Sequence, residues 1–192
     1  MTNTTHYPLQ TSRLLLKELE LADANPLFGY RSLPEITRFQ GWAPKSQEDS
    51  IRFIAEDICH IMNQPDTWFQ LGIFLREGET AKLLIGDLGI HFLLEESTAE
   101  IGVTISPEFQ GKGLATEAVR CVMGFLFEGL TKSKVVASVD PANKKSMTLM
   151  EGIGFQLKGV YKNAVLFRGE WADDAVFEIT AEQWENRPTP TK

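Results

Sequence analysis

Residues 99–118 read Ala-Glu-Ile-Gly-Val-Thr-Ile-Ser-Pro-Glu-Phe-Gln-Gly-Lys-Gly-Leu-Ala-Thr-Glu-Ala, and the passage changes its period halfway. Ala99 to Ile105 reads as a strand, and Pro107 breaks it because proline cannot donate to a ladder. Gln110 to Ala115 then opens a helix that runs to about Gly129. Its Leu114, Ala118, Val119, Val122 and Leu126 recur at helical spacing and mark the buried side. Glycines at 111 and 113 let successive backbone N–H groups turn toward one point, with the positive end of the helix behind them. That is a cradle for a pyrophosphate. Ala115 keeps the helix start small, so a bulky ligand can approach the backbone.

Working upstream, two strands precede this one. Trp68 to Arg76 places Phe69, Leu71, Ile73 and Leu75 on one face, and Leu83 to Phe92 does the same with Leu84, Leu88, Ile90 and Phe92. The turns at 77–79 and 95–97 are short enough for an antiparallel meander. Ser46 is a good N-cap, and Ile51, Ile54, Ile58 and Ile61 predict a helix over Gln47 to Met62. Before it come a strand at Arg13 to Leu19, helical character over Leu21 to Ser32, and a loop with Phe39, Gly41, Trp42 and Pro44. Downstream, Val135 to Val139 is a strand and Asn143 to Gly152 a short helix. Phe155 to Tyr161 and Ala175 to Thr180 close the sheet, with a turn at Arg168-Gly169-Glu170. The fold class is α/β (α+β): one domain over 1–185 on a mixed, mainly antiparallel sheet. The tail 186–192, with Pro188 and Pro190, is expected to be disordered.

The bulk properties narrow the function. At 43% hydrophobic and 23% charged, the 192 residues have a globular composition with enough apolar side chains for one core. A net charge of −7 argues against nucleic acid as a direct partner, which needs a basic footprint. The polar residues 1–10 lack the pattern of a signal peptide, and no apolar run reaches the length of a membrane span, so a cytoplasmic protein without membrane contact is expected. Cys59 and Cys121 fall in predicted helices and read as buried reduced thiols. His6 and His60 show no ligand spacing with cysteines or carboxylates, and no metal is expected.

A Gly-x-Gly pair before a helix is weak evidence by itself. A Walker A loop requires Gly-x-x-x-x-Gly-Lys-Ser/Thr, a string the chain does not contain. A dinucleotide fingerprint needs its glycines directly after a strand in an early βαβ unit. Here Pro107-Glu108-Phe109 intervenes after a meander, although Asp140 stands where a ribose-binding acid would. A nicotinamide-dependent oxidoreductase is therefore weakened and stays in competition.

The string Glu100-Ile-Gly-x-x-Ile-x-Pro-Glu-Phe-Gln-Gly-Lys-Gly-x-Ala-Thr-Glu-Ala118 resembles the acetyl-CoA motif of the GNAT N-acetyltransferase superfamily, Gln/Arg-x-x-Gly-x-Gly/Ala. Within it, the chain resembles the Rim-type branch that acetylates ribosomal proteins. Thr11-Ser-Arg-Leu-x-Leu16 resembles that branch's opening strand, and Arg38-Phe-x-Gly-Trp42 with Pro44 its first substrate loop. Asn143-x-x-Ser146, followed by Gly154-Phe155, resembles its second cofactor segment. Gly169-x-Trp171 with Asp173-Asp174 resembles its closing hairpin.

The resemblance implies a central sheet splayed in the middle with helices on both faces. It implies acetyl-CoA as co-substrate and an amine acceptor as partner, with a second copy of the chain as a further candidate partner. Pantetheine would bond to backbone groups at Val103, Thr104 and Ile105. The pyrophosphate would rest on Gln110, Gly111, Lys112, Gly113, Leu114, Ala115 and Thr116, with Asn143 and Ser146 completing the cofactor site. Glu100 is then the candidate base, the alternative being an exposed strand glutamate. Ser146 is the candidate acid at the thiolate, because Leu149 and Met150 stand where many members carry a tyrosine; otherwise Asn143 merely caps its helix. Glu117 reads as structural. Phe39 and Trp42 would wall the acceptor pocket, or else pack under the loop. His91 lies near the same cleft and is left out of the catalytic set. The expected activity is acetylation of a primary amine, a protein N-terminus of the ribosomal kind or a small molecule (amino acid, polyamine, aminoglycoside). A non-catalytic acyl-CoA-binding module is the alternative of another class.

Overall fold

A computed structural model describes residues 7–78, 80–95 and 97–187 of the chain. Its elements are β1 (Leu9–Gln10), β2 (Leu14–Glu18), α1 (Ala24–Arg31), α2 (Pro34–Thr37), α3 (Gln47–Arg52), β3 (Thr67–Glu77), β4 (Thr80–Phe92), β5 (Thr98–Ile105), α4 (Leu114–Gly124), β6 (Lys134–Val139), α5 (Lys144–Ile153), β7 (Gln156–Phe167), β8 (Glu170–Thr180) and α6 (Ala181–Glu185). The strands form one sheet in the order β1-β2-β3-β4-β5-β6-β8-β7. The expected meander is there, and β5 against β6 is the parallel pair. This is the α/β architecture expected.

The sheet buries a different cluster on each face. One gathers Leu71, Leu88, Ile90, Ile101, Val119, Val122, Leu126, Val135 and Phe177, which places α4 and α5 over the centre. The five residues predicted for the buried side of α4 are all at most 4% exposed. The other packs Leu27, Tyr30 and Ile54 against Leu15, Phe74 and Leu84, so α1 and α3 cover only the β2–β4 side. Among the described residues no helix is long and apolar enough to cross a membrane.

Three expectations need correction. Leu84 does not share a face with Leu88. The register passes from Ile73↔Gly86 to Phe74↔Leu84, so Ile85 is a bulge residue and takes the first-cluster position while Leu84 turns to the second. The helix from Gln47 does not reach Met62. It has a true capping box between Ser46 and Asp49, but after a π-turn at Phe53–Asp57 Ile58 is extended, and Cys59 N–H donates to Trp68 O at 2.9 Å. Pairing with β3 wins over the helical period, which leaves Ile61 64% exposed and Cys59 half-buried outside any helix. Finally, the chain does not fray at Asn186. The capping box of Thr180 and Gln183 starts α6, Trp184 is buried, and the Arg187 guanidinium lies 3.3 Å from its ring centroid. Residues 188–192 of the predicted tail, and His6, lie outside the described residues.

Candidate active site

β5 and β6 pair over three rungs, Thr98↔Lys134, Ala99↔Val135 and Glu100↔Val136, and then part. Beyond the last rung, Gly102 to Ile105 have β4 on one side and no strand on the other. β5 turns off at Ser106, whose N–H donates to Ile85 O at 2.8 Å on the bulge. A short 3-10 turn over Pro107–Phe109 follows, and both glycines of the loop adopt left-handed backbone, Gly111 at φ 73° and Gly113 at φ 74°. That region is open to glycine at no steric cost. Gly113 caps α4, and since Glu117 N–H is the first bonded back to Gly113 O, the amides of Leu114, Ala115 and Thr116 are left for a ligand.

Side chains hold this loop from behind. Gln110 Nε2 donates to Ile105 O at 2.9 Å, and its Oε1 accepts from Lys145 Nζ at 2.9 Å, tying the strand end to α5. Arg13 Nη1 donates to Lys112 O at 3.0 Å while its Nε donates to Glu117 Oε2 at 2.6 Å. Thr11 Oγ1 donates to Glu117 Oε1 at 2.5 Å. Burial alone would raise the pKa of Glu117, but the hydrogen bonds from Thr11 and Arg13 outweigh it and hold the carboxyl below the usual range. Glu117 thus fastens α4 to the opening strand.

The end of β5 from Val103, the glycine loop, the start of α5 and the residues around α2 line a cleft of about 1220 Å³. It brings together Val103, Thr104, Ile105, Gln110, Gly111, Gly113, Leu114, Ala115, Thr116, Asn143 and Ser146, and Phe39 on the far wall. Lys112 is not part of the lining; its Nζ sits 5.1 Å from the Phe109 ring centroid. Trp42 stands apart as well. It stacks on Phe53 at 4.1 Å between centroids and borders a smaller hollow with Arg168. Asn143 Oδ1 accepts from Ser146 N–H at 3.2 Å, so Asn143 caps α5. Glu100 sits where the strands part, but on the sheet face away from α4, and does not line the cleft. Its Oε2 is 3.5 Å from Nδ1 of His91, whose ring stacks on Trp68.

The cleft lining adds Glu35 and Ile36 of α2, Arg38 and Gln40 of the stretch read as the first substrate loop but not named there as site residues, and Lys144 and Lys145 at the start of α5. The two lysines directly after Asn143 were a readable sign of an anion. The α2 part of the wall was not readable, because α2 has only four residues and packs against α1.

Free amides at a helix start, two left-handed glycines and adjacent lysines fit the pyrophosphate of a coenzyme A thioester. Among the described residues no group of three His, Cys, Asp or Glu side chains is arranged to hold a metal ion. The acetyltransferase (GNAT) domain model matches residues 13–156. The chain belongs to the GNAT acetyltransferase family. The family fold extends over nearly the whole chain: a GNAT acetyltransferase from Bacillus anthracis superposes with a TM-score of 0.78 at 24% identity, covering 90% of this chain and 98% of that one. The microcin C7 self-immunity acetyltransferase MccE, solved with acetyl-CoA and AMP, does so with a TM-score of 0.77 at 21% identity, covering 92% and 98%. Among curated GNAT relatives, an uncharacterised N-acetyltransferase of Bacillus subtilis, YnaD, is 27% identical over 92% of this chain and 98% of its own. The ribosomal protein uS5-alanine N-acetyltransferase of Escherichia coli is 30% identical over 44% and 43%, and the spermidine N(1)-acetyltransferase of the same organism 36% over 38% and 39%.

Proposed function

We infer that this GNAT N-acetyltransferase binds acetyl-CoA between β5 and β6 and passes the acetyl group directly to a primary amine, with a protein N-terminal amine as the first choice of acceptor. The observation that carries the reading is the parting of the strands after Glu100↔Val136 beside the glycine loop at 111–113. An unpaired strand edge accepts pantetheine as an added strand would be accepted, and backbone N–H groups near Val103 are suited to polarise the thioester carbonyl. The bound thioester supplies an activated acyl group. The amine forms the new C–N bond, the C–S bond breaks, the ammonium proton leaves through Glu100 and water, and the departing sulfur is protonated from the side of Ser146. The likeness to the uS5-alanine enzyme supports a protein acceptor, and the likeness to the spermidine enzyme supports a small amine as the second reading.

The test is a panel of amines and N-terminal peptides assayed by release of the free CoA thiol, together with thermal shift. Binding to the native state alone stabilises it by about 2.7 kcal/mol at a hundredfold excess over Kd. Stabilisation by acetyl-CoA and turnover with some amine are expected. A response to NAD without one to acetyl-CoA overturns the reading, and binding without any turnover makes the chain an acyl-CoA-binding module.

A further inference from the structure

Asp87 lies at the centre of the sheet with no exposure at all, and it is heavily bonded. Tyr30 OH donates to its Oδ1 at 2.6 Å, Arg31 Nε donates to the same oxygen at 3.0 Å, and Arg31 Nη2 and Gln70 Nε2 both reach Oδ2. Arg31 also lies over the Trp42 ring, 5.8 Å from its centroid, and makes one more side-chain hydrogen bond. Its Nη1 donates to Gln40 Oε1 at 2.8 Å, and Gln40 lines the cleft wall. Guanidinium nitrogens only donate, so this bond fixes which way the Gln40 carboxamide faces. The oxygen is turned to Arg31, and the NH₂ group is left to donate elsewhere.

Across the ladder from Asp87 stands Thr104. Directly opposed residues share a face, so its side chain points to the side of Gln40 and not to the side of α4. Thr104 is 4% exposed, lines the same cleft, and its Oγ1 has no hydrogen-bond partner. A buried hydroxyl without a partner is costly, and the cleft is where one can be supplied. The charges of the wall set the chemistry further. On that wall Glu35 is acidic and Arg38 basic, while Lys144 and Lys145 lie at the start of α5 beside the pyrophosphate loop, so the wall carries no net negative charge. A polycationic amine finds a poor counter-charge there. Two neutral donors, the Gln40 NH₂ and the Thr104 OH, complement a carbonyl oxygen.

We propose that Thr104 and Gln40 form an acceptor subsite for the carbonyl next to the reacting amine, so that the acceptor class is an N-terminal aminoacyl group and not a polyamine. Asp87 and Arg31 are positioning residues that orient Gln40 and touch neither substrate. The proposal rests on the acetyl-transfer reading above and adds to it the residues that select the acceptor. A site built around a hydrogen bond discriminates strongly against an analogue that cannot make it.

The experiment uses an alanine-initiated tetrapeptide amide and spermidine as probes, with wild type, Thr104→Val and Gln40→Leu. Val keeps the shape of Thr, and Gln40→Leu is an independent variant on a different element; circular dichroism checks the fold of both. In wild type the peptide is expected to exceed spermidine at least ~10-fold in kcat/KM. Each variant should raise the peptide KM about tenfold with little change in kcat, and so lower the preference for peptide over spermidine by about the same factor, with the acetyl-CoA Kd followed by calorimetry as a separate readout. Arg31→Lys, which retains charge but loses the planar fork, should raise the peptide KM in the same direction. A preference for spermidine, an unchanged peptide KM in both variants, or a weakened acetyl-CoA Kd in Thr104→Val overturns the subsite. Absence of turnover with every amine removes the transfer reading instead, and the two failures are told apart by that control.

Discussion

Glu100 and Val136 form the last rung that joins β5 to β6, and the cleft opens immediately beyond it. The Glu100 carboxylate thus stands just before the part of β5 that lines the cleft, on the sheet face away from α4. Its Oε2 lies 3.5 Å from His91 Nδ1, and His91 Nε2 lies 3.5 Å from Asp66 Oδ1. If Glu100 takes the ammonium proton, Glu100→Gln retains acetyl-CoA affinity and loses ~10²–10⁴-fold in kcat/KM. A base acts only when deprotonated, so the wild-type rate falls on the acidic side, and that limb should change in the variant. Ser146→Ala, on the other side of the reacting group, should give a smaller loss, since water can replace the hydroxyl. Paired pH–rate profiles on one acceptor decide the matter. An unaltered acidic limb at near-normal rate in Glu100→Gln makes Glu100 a strand carboxylate.

Gly113 is the N-cap of α4 at φ 74°, and a Cβ placed there meets only Arg13 Nη2, at 3.6 Å. Space within the protein is therefore not the obstacle. A β-branched residue is strained at this backbone angle, by roughly 1–2 kcal/mol or more, and projects where the phosphates approach. Gly113→Val should keep a native circular dichroism spectrum while coenzyme A affinity falls by at least an order of magnitude. Unchanged affinity in the folded variant would mean that the phosphates sit elsewhere.

The Thr11–Glu117–Arg13 clasp carries a pH signature. The folded carboxyl of Glu117 is held below its unfolded value by bonds that prevail over burial. Its contribution to stability is then fully present above the unfolded pKa, about 4.3, and is lost as pH falls through the lower folded value. Urea unfolding of wild type and Glu117→Gln should show a gap near neutral pH that closes as pH falls below the unfolded carboxyl value and through the lower folded one. A gap of constant size across that range would show that the carboxylate charge does not contribute.

The sequence was most legible where local rules and tertiary structure agree. The buried side of α4 and the two loop glycines could be placed because one helix period and one backbone requirement determine them. The meander followed from alternation and short turns. Leu84 was misplaced because alternation assumes an unbroken ladder, and nothing local marks Ile85 as the bulge. The end of α3 was missed because Ile58 and Ile61 continue the period, whereas the backbone at Cys59 pairs with β3. The α6 start was available in Thr180-x-x-Gln183 and was hidden by reading the strand to its end. Gln40 and Thr104 needed coordinates, since their meaning comes from Asp87, which lies far from Gln40 in sequence and across a strand from Thr104.

Asp87 and Arg31 give the sharpest stability prediction. Burial alone would lower the pKa of Arg31, and Asp87 beside it reverses this, so the guanidinium stays charged. Burial first, and then the charge of Asp87, push the Tyr30 hydroxyl well above its ordinary range, which keeps it a donor. A buried pair of this kind contributes little net stability against a well-packed apolar replacement, but removing one partner leaves the other charge uncompensated and costs about 3–5 kcal/mol. For a chain of this size each kcal/mol corresponds to about 2–4 °C in Tm. Asp87→Ala should therefore lower Tm by roughly 10 °C. Arg31→Met alone should also destabilise, because Asp87 is then buried with only Tyr30 and Gln70 as donors. Combining Arg31→Met with Asp87→Leu should recover a substantial part of the loss, giving a coupling energy of at least about 1 kcal/mol in the double-mutant cycle. Additive losses in that cycle would mean that the two charges are compensated separately, and the buried pair would no longer explain how the cleft wall is held.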